Sequence, residues 1–293
     1  MAVRTLPAPR ILVDAKAHLG EGPVWDDRIG CLVWLDIRGR TLYATDPTDG
    51  ATRSILLPSA VGVAVPRASG GYVAALEDGF WAVSDDGAVE PIAAVGADDP
   101  RTRFNDGACD PQGRMWAGTM AWDEEEGAGS LYRLDPDGSV HRVIEGVTIS
   151  NGLGWSPDGR TMYYVDTPTR RIDAFDFDGA SGDISNRRQF VELEGEGFPD
   201  GLCVDVEGAV WLATWSGWAV RRYLPDGELE AILPLPCSNV SSCAFGGPDL
   251  EDPFITTAWE HLEPAERDAQ PLAGGLFQAR VGVAGLPSGS FNG

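Results

Sequence analysis

The sequence predicts an all-β protein, a six-bladed β-propeller of four-stranded blades. Self-similarity recurs every 40 to 50 residues or so, which is the spacing of propeller blades. Gly and Pro, 37 and 21 of the 293 residues, break the chain into short segments throughout. The ten Trp, ten Phe and six Tyr sit mostly inside short apolar runs, as strands rather than helices would have them.

The repeats start near Gly22, Gly62, Asp106, Gly152, Gly201 and Ser242. Each opens on small or apolar residues, as in Val61-Gly62-Val63-Ala64-Val65, passes a Gly turn and enters an aromatic, β-branched run. Three copies are plain: Asp110-Pro111-Gln112-Gly113-Arg114-Met115-Trp116, Ser156-Pro157-Asp158-Gly159-Arg160-Thr161-Met162-Tyr163, and Asp205-Val206-Glu207-Gly208-Ala209-Val210-Trp211. Hairpin turns such as Ser84-Asp85-Asp86-Gly87, Asp135-Pro136-Asp137-Gly138 and Leu224-Pro225-Asp226-Gly227 supply positive φ angles. One blade cannot bury both its faces, so the six are expected to pack as a ring forming a single domain over 1–293. Arg10-Ile11-Leu12-Val13-Asp14 is expected to complete the last blade beside Gly275-Leu276-Phe277-Gln278-Ala279-Arg280-Val281, which removes an exposed edge. Residues 260–269 are the best helical candidate but read as an acidic surface loop. Residues 123–129 read as a carboxylate-rich flap between strands.

A formal charge of −23 repels nucleic acid and anionic membranes, so neither is expected as a partner. The five cysteines show no CxxC pair and no zinc spacing, and read as reduced and mostly buried. Residues 1–10 lack the apolar run of a signal peptide, and no segment has the length of a membrane span. The expectation is a cytoplasmic enzyme or binding protein, monomeric or weakly homo-oligomeric.

Four segments place an oxygen-bearing residue before a glycine at the start of a repeat: Glu21-Gly22-Pro23, Asn105-Asp106-Gly107, Ser150-Asn151-Gly152 and Pro199-Asp200-Gly201. Singly, Asn-Gly and Asp-Gly are ordinary turn dipeptides. At matched places in a propeller they face one another at one channel mouth. Glu21, Asn151 and Asp200, with Asn105 or Asp106 as a fourth position and water completing the shell, then offer hard oxygen ligands for one divalent ion, Ca²⁺, Mg²⁺ or Mn²⁺, with Zn²⁺ a carboxylate-rich alternative. Arg103, two residues before Asn105, offers a forked donor to substrate oxygens. His18, His141 and His261 lie away from the repeat starts, so no Ser-His-Asp or Cys-His mechanism is assembled. Cys109 and Cys203, three residues after Asp106 and Asp200, read as small apolar filling.

These segments are similar to the family of regucalcin (senescence marker protein), gluconolactonase and luciferin-regenerating enzyme. The likeness spans nearly the whole chain and includes Gly20-Glu21-Gly22-Pro23-Val24-Trp25, Arg103-Phe104-Asn105-Asp106-Gly107, Ala117-Gly118-Thr119-Met120-Ala121, Ile149-Ser150-Asn151-Gly152-Leu153 and Ala273-Gly274-Gly275-Leu276-Phe277. It implies a propeller with one channel metal that hydrolyses aldonolactones, with Glu21, Asn151 and Asp200 on the metal and Arg103 and Asn105 on the sugar. Regucalcin-like members carry a glutamate directly after the Gly-Thr-Met-Ala stretch, whereas this chain has Trp122 there, followed by Asp123 and Glu124. An indole at that place can stack on a sugar ring or shield a more apolar lactone, and Asp123 is the acid expected to replace the contact.

The expected reaction is metal-assisted hydrolysis of a small-molecule sugar lactone, with the oxyanion as the charge to be stabilised. Asp200 is the first candidate for general base, as a carboxylate beside the metal that could take the proton of the attacking water; Asp106 is the second, favoured by the loss of basicity that direct metal coordination would impose on Asp200. The rivals are a phosphotriesterase or other esterase on the same metal propeller, and a non-catalytic calcium-binding propeller.

Overall fold

A computed structural model describes residues 2–96 and 100–293. Six sheets follow one another along the chain: five hold four antiparallel strands in sequence order, the sixth holds the last three strands completed by one from the N-terminal segment, and blade 5 gains a fifth, parallel edge strand. The first strands of the blades are Gly20–Asp26, Val61–Pro66, Thr102–Cys109, Ser150–Trp155, Phe198–Val204 and Val240–Gly246. They pack against one another in that order, and the last meets the first, so they line a closed channel. The positions read as repeat starts lie one to four residues inside these strands.

Burial falls from the channel outwards. The first and second strands of blade 2, Val61–Pro66 and Tyr72–Leu76, are buried along their whole length, because neighbouring blades cover both faces. The outermost strand of blade 1, Thr52–Leu56, is mostly exposed. The inner strands therefore read as continuous apolar runs rather than alternating ones.

The repeated Asp-x-x-Gly turn has a packing role. Asp110 Oδ2 accepts from the Trp116 indole at 3.0 Å and Asp205 Oδ2 from the Trp211 indole at 2.9 Å, so each aspartate satisfies the one polar atom of a buried tryptophan. Arg114 and Arg222 pair with the same two carboxylates at 2.6 and 2.7 Å.

Arg10–Val13 pairs antiparallel with Leu276–Gln278, matching Ile11 to Phe277, and closes the ring as expected. Arg4–Thr5 adds a parallel edge to Leu229–Pro234 of blade 5. Deleting the residues before Ala15 removes the part-buried Ile11, Leu12 and Val13 and bares an edge, an expected loss of roughly 2–4 kcal/mol. In a scanning calorimeter the melting temperature should fall by roughly 5–10 °C; an unchanged transition would count against closure by this strand.

Two features depart from expectation. Pro264–Ala269 is a short α-helix rather than a loop. Glu263 and Glu266 form a reciprocal capping box and Pro264 occupies the first turn, which is enough to start a helix inside an acidic segment. Beyond the last strand, the tail runs back across the ring. Gly285 bridges to Asp205 of blade 5, and Phe291 is buried beside blades 2 and 3, where its amide donates to the Pro66 carbonyl. Among the described residues no helix is long and apolar enough to cross a membrane.

Candidate active site

Every innermost strand breaks register at the same height. The shifts fall between Glu21 and Val24, Val61 and Val63, Phe104 and Asp106, Ser150 and Leu153, Pro199 and Leu202, and Val240 and Ser242. Such a bulge sets an extra residue against the partner strand and re-aims its side chain. The glycine that follows makes this possible at close range. A Cβ on Gly152 would lie 2.5 Å from the Leu202 amide nitrogen, so only glycine lets the neighbouring blade approach.

The bulges bring most of the anticipated residues together. Glu21, Arg103, Asn105, Asn151 and Asp200 line one cavity of about 270 Å³. Asp106 is beside them electrostatically, yet it lines a different cavity of about 460 Å³ toward the other end of the channel. Glu21, Asp106 and Asp200 are only 4, 5 and 4 % exposed. Burial, and then the charge of Asp106, holds the Glu21 carboxyl well above the usual range; burial, Glu21 and Asp106 do the same for Asp200. Burial pushes Asp106 up to about 6. Glu21 and Asp106 each accept from the following glycine amide, at 2.8 and 2.6 Å.

A chain of hydrogen bonds links the remaining residues. Arg103 donates from one terminal nitrogen to Asn105 Oδ1 at 2.7 Å, and Asn105 Nδ2 donates to Asn151 Oδ1 at 3.0 Å and to the Ser150 carbonyl at 2.8 Å. Asn105 thus reaches the cavity with its amide already engaged, and it ties Arg103 to Asn151. Burial and the nearby Arg38 charge lower Arg103 to about 10, and its Nε–H is buried without a partner.

Trp122 does not line this cavity. It packs against the cluster of Leu19, Ile37, Ala60 and Ala258, with Arg38 and Arg103 over its ring at 4.7 and 5.1 Å. Arg38 is held in turn by Glu260 at 2.6 Å. Asp123 is exposed and also stands outside the cavity lining. The neighbouring acid that does line it is Glu124, placed by a left-handed backbone at φ 60°, with Glu260 and His261 from blade 6.

Three positioning residues carried no sequence signal. Asp36 accepts from the amides of His18 and Leu19, just before Glu21, and Asp166 accepts from those of Thr148 and Ile149, just before Asn151. The two aspartates end the second strands of blades 1 and 4, so one repeated device fixes both inner strands. Thr167 commits its hydroxyl proton to the Pro199 carbonyl at 2.9 Å and so accepts from Asn151 Nδ2 at 2.8 Å. That assignment turns the Asn151 oxygen away from Thr167 and toward Asn105. For a divalent ion held by Asn151, as proposed below, a Thr167→Val change should weaken binding about 10- to 100-fold, read by calorimetric titration; unchanged affinity would show that the amide orients itself.

The fold and the site together define a six-bladed propeller with buried acids and amides gathered at one mouth of its channel. The chain belongs to the SMP-30/Gluconolactonase/LRE-like family, whose model matches residues 19–259. It is similar to regucalcin of Xenopus laevis, 39% identical over 291 residues, with 96% of this chain and 97% of the relative covered. It is 38% identical over 283 residues to the Bacillus subtilis protein named "Putative sugar lactone lactonase YvrE", covering 96% and 97% of the two chains. The crystal structure of a calcium-binding protein, regucalcin, from Agrobacterium tumefaciens superposes with a TM-score of 0.95 at 31% identity, covering 99% of each chain.

Proposed function

We propose that this protein is a divalent-metal-dependent lactonase that opens a sugar lactone to its aldonic acid. The observation that carries this reading is the buried trio Glu21, Asp106 and Asp200: burial raises all three, the Asp106 charge raises Glu21 further, both raise Asp200, and Glu21 and Asp200 share a cavity with Arg103 and Asn105. Buried like charges are costly unless a cation accompanies them. Among the described residues no three His, Cys, Asp or Glu side chains make a ligand cluster by themselves. The set that fits is therefore mixed, with Glu21, Asp200 and the amide oxygen of Asn151 holding a hard ion. When bound, that ion supplies Lewis-acid polarisation of the lactone carbonyl.

The protein's own groups do the rest. The unpartnered Nε–H of Arg103 is a donor for a substrate oxygen, recovering a hydrogen bond whose absence costs about 1–3 kcal/mol. Asp200 takes the proton from the attacking water, because it shares the cavity with Arg103 and Asn105, whereas Asp106 lines the other one. Trp122 sets specificity indirectly by holding Arg103 under its ring.

A pH-stat screen of pentono-, hexono- and deoxy-lactones beside an organophosphate ester, before and after EDTA with metal add-back, tests the reading. Lactone hydrolysis should vanish with EDTA and return with one divalent ion. Turnover of the phosphate ester alone would make the protein a phosphotriesterase. No turnover with any ion would make it a binding propeller.

A further inference from the structure

The inner strands of blades 5 and 6 set Cys203 Sγ and Cys243 Sγ 3.6 Å apart. Both side chains line the far cavity of about 460 Å³, away from Arg103 and its neighbours. Cys243 also donates to the Trp211 carbonyl at 3.5 Å, and Cys203 is the more exposed of the two. All five cysteines are free thiols.

The separation selects among thiol chemistries. A disulfide needs about 2.05 Å between sulfurs, so the pair stands well short of that bond. Two sulfurs bound to one atom through bonds of about 2.3 Å lie about 4.6 Å apart if the angle is linear. They lie about 3.3–3.8 Å apart for angles from 90° to tetrahedral. The observed 3.6 Å falls in the bent range. A tetrahedral metal would need further ligands, and among the described residues no third Cys, His, Asp or Glu completes such a cluster.

We propose that Cys203 and Cys243 form a dithiol site at the far end of the channel that takes one thiophilic atom in a bent, two-sulfur bridge, monosubstituted trivalent arsenic being the matching chemistry. The third valence of that atom is filled by its own organic group, which the apolar wall of Leu202, Val204 and Phe245 accommodates. In the reaction, R–As(OH)₂ and two thiols give R–As(SR′)₂ and two waters. Two S–H and two As–O bonds break, two As–S and two O–H bonds form, and arsenic stays trivalent. The hydrogen-bonded contact with Cys243, and then burial, hold the Cys203 thiol well above its usual range. The exchange suits such a pair, since both thiol protons leave in water and no free thiolate has to persist. The bridge would join the inner strands of two blades.

The test uses the full chain and phenylarsine oxide, followed by intact mass spectrometry and peptide mapping. One phenylarsenic group per chain is expected, with loss of two protons, mapped to the peptides holding Cys203 and Cys243. The adduct should survive excess glutathione and be removed by 2,3-dimercaptopropanol. Cys203→Ser should abolish the glutathione-resistant adduct, while Cys31→Ser and Cys109→Ser leave it intact. Because Cys243 is buried, Cys243→Ala, with folding checked by circular dichroism, is the second arm. No adduct on the unmodified chain, an adduct that persists in Cys203→Ser, or one lost in Cys109→Ser would overturn the assignment.

Discussion

Replacing Asp200 by Asn is expected to lower sugar-lactone turnover by about 1000-fold, equal to about 4 kcal/mol of lost transition-state stabilisation. Asp106→Asn should cost only about tenfold. Both carboxylates are buried at matched bulges, and sequence register alone makes them rivals. The cavities separate them: Asp200 faces the one that holds Arg103, Asn105 and Asn151, and Asp106 faces the opposite one. On the proposed reading, a substrate held by Arg103 presents its carbonyl to Asp200. Measuring kcat at saturating metal, with bound ion quantified for each variant, separates loss of the base from loss of the ion. Equal losses in the two variants, or full turnover in both, would remove Asp200 from that role.

The second large effect is on stability. With no cation bound, Asp106 titrates at about 6 in the folded chain, against about 3.9 in an unfolded one. Glu21 and Asp200 are raised well above their usual range in the same direction, Glu21 by burial and then the Asp106 charge, Asp200 by burial and then the charges of Glu21 and Asp106. A raised carboxyl binds more protons folded than unfolded, so its contribution is whole below about pH 4 and is lost as pH climbs through 6 and beyond. For Asp106 the loss is roughly 3 kcal/mol. In EDTA the chain should therefore lose stability at these sites as pH rises from 4.5 to 7.5. At pH 7.5 a divalent ion at about a hundred times its Kd should return about 2.7 kcal/mol, or roughly 5–10 °C in melting temperature. The gain should shrink toward pH 4.5, where Glu21 and Asp200 are protonated and the ion must displace their protons. Calorimetry with and without the ion at both pH values checks this; a gain that is constant with pH would mean that the acids are not its ligands.

Much of this was legible in the chain. The blade count, the inner-strand starts and the closing strand at residues 10–13 follow from repeat spacing and turn chemistry, which are local properties. The convergence of Glu21, Asn151 and Asp200 follows from the same symmetry. What symmetry does not encode is which way a side chain leans. The Asn-Gly and Asp-Gly pairs have the composition of turns, yet they lie at bulges within strands, and the bulge sends Asp200 into one cavity and Asp106 into the other. Trp122 and Glu124 are a second instance: a left-handed residue at Glu124 brings that acid to the cavity while the indole packs against apolar neighbours. Thr167 and Asp166 act through two hydrogen-bond partners each, from a different strand or turn, and no spacing rule marks them. The helix at Pro264–Ala269 was hidden by its charge, because the acids that suit a solvated loop also build a capping box.

The C-terminal tail changes how the ring holds itself together. A row of blades joined only by adjacency would respond to damage one unit at a time, each answering to its two neighbours. Here the strand at Arg10–Val13 closes the circumference, and the segment from Gly285 to Phe291 fastens blade 5 to blades 2 and 3 across it. Opening one blade then strains contacts on the far side of the molecule. The geometry of the acids and amides at the mouth is guarded by the whole circle, and local fluctuation there is tied to the cost of loosening the rest.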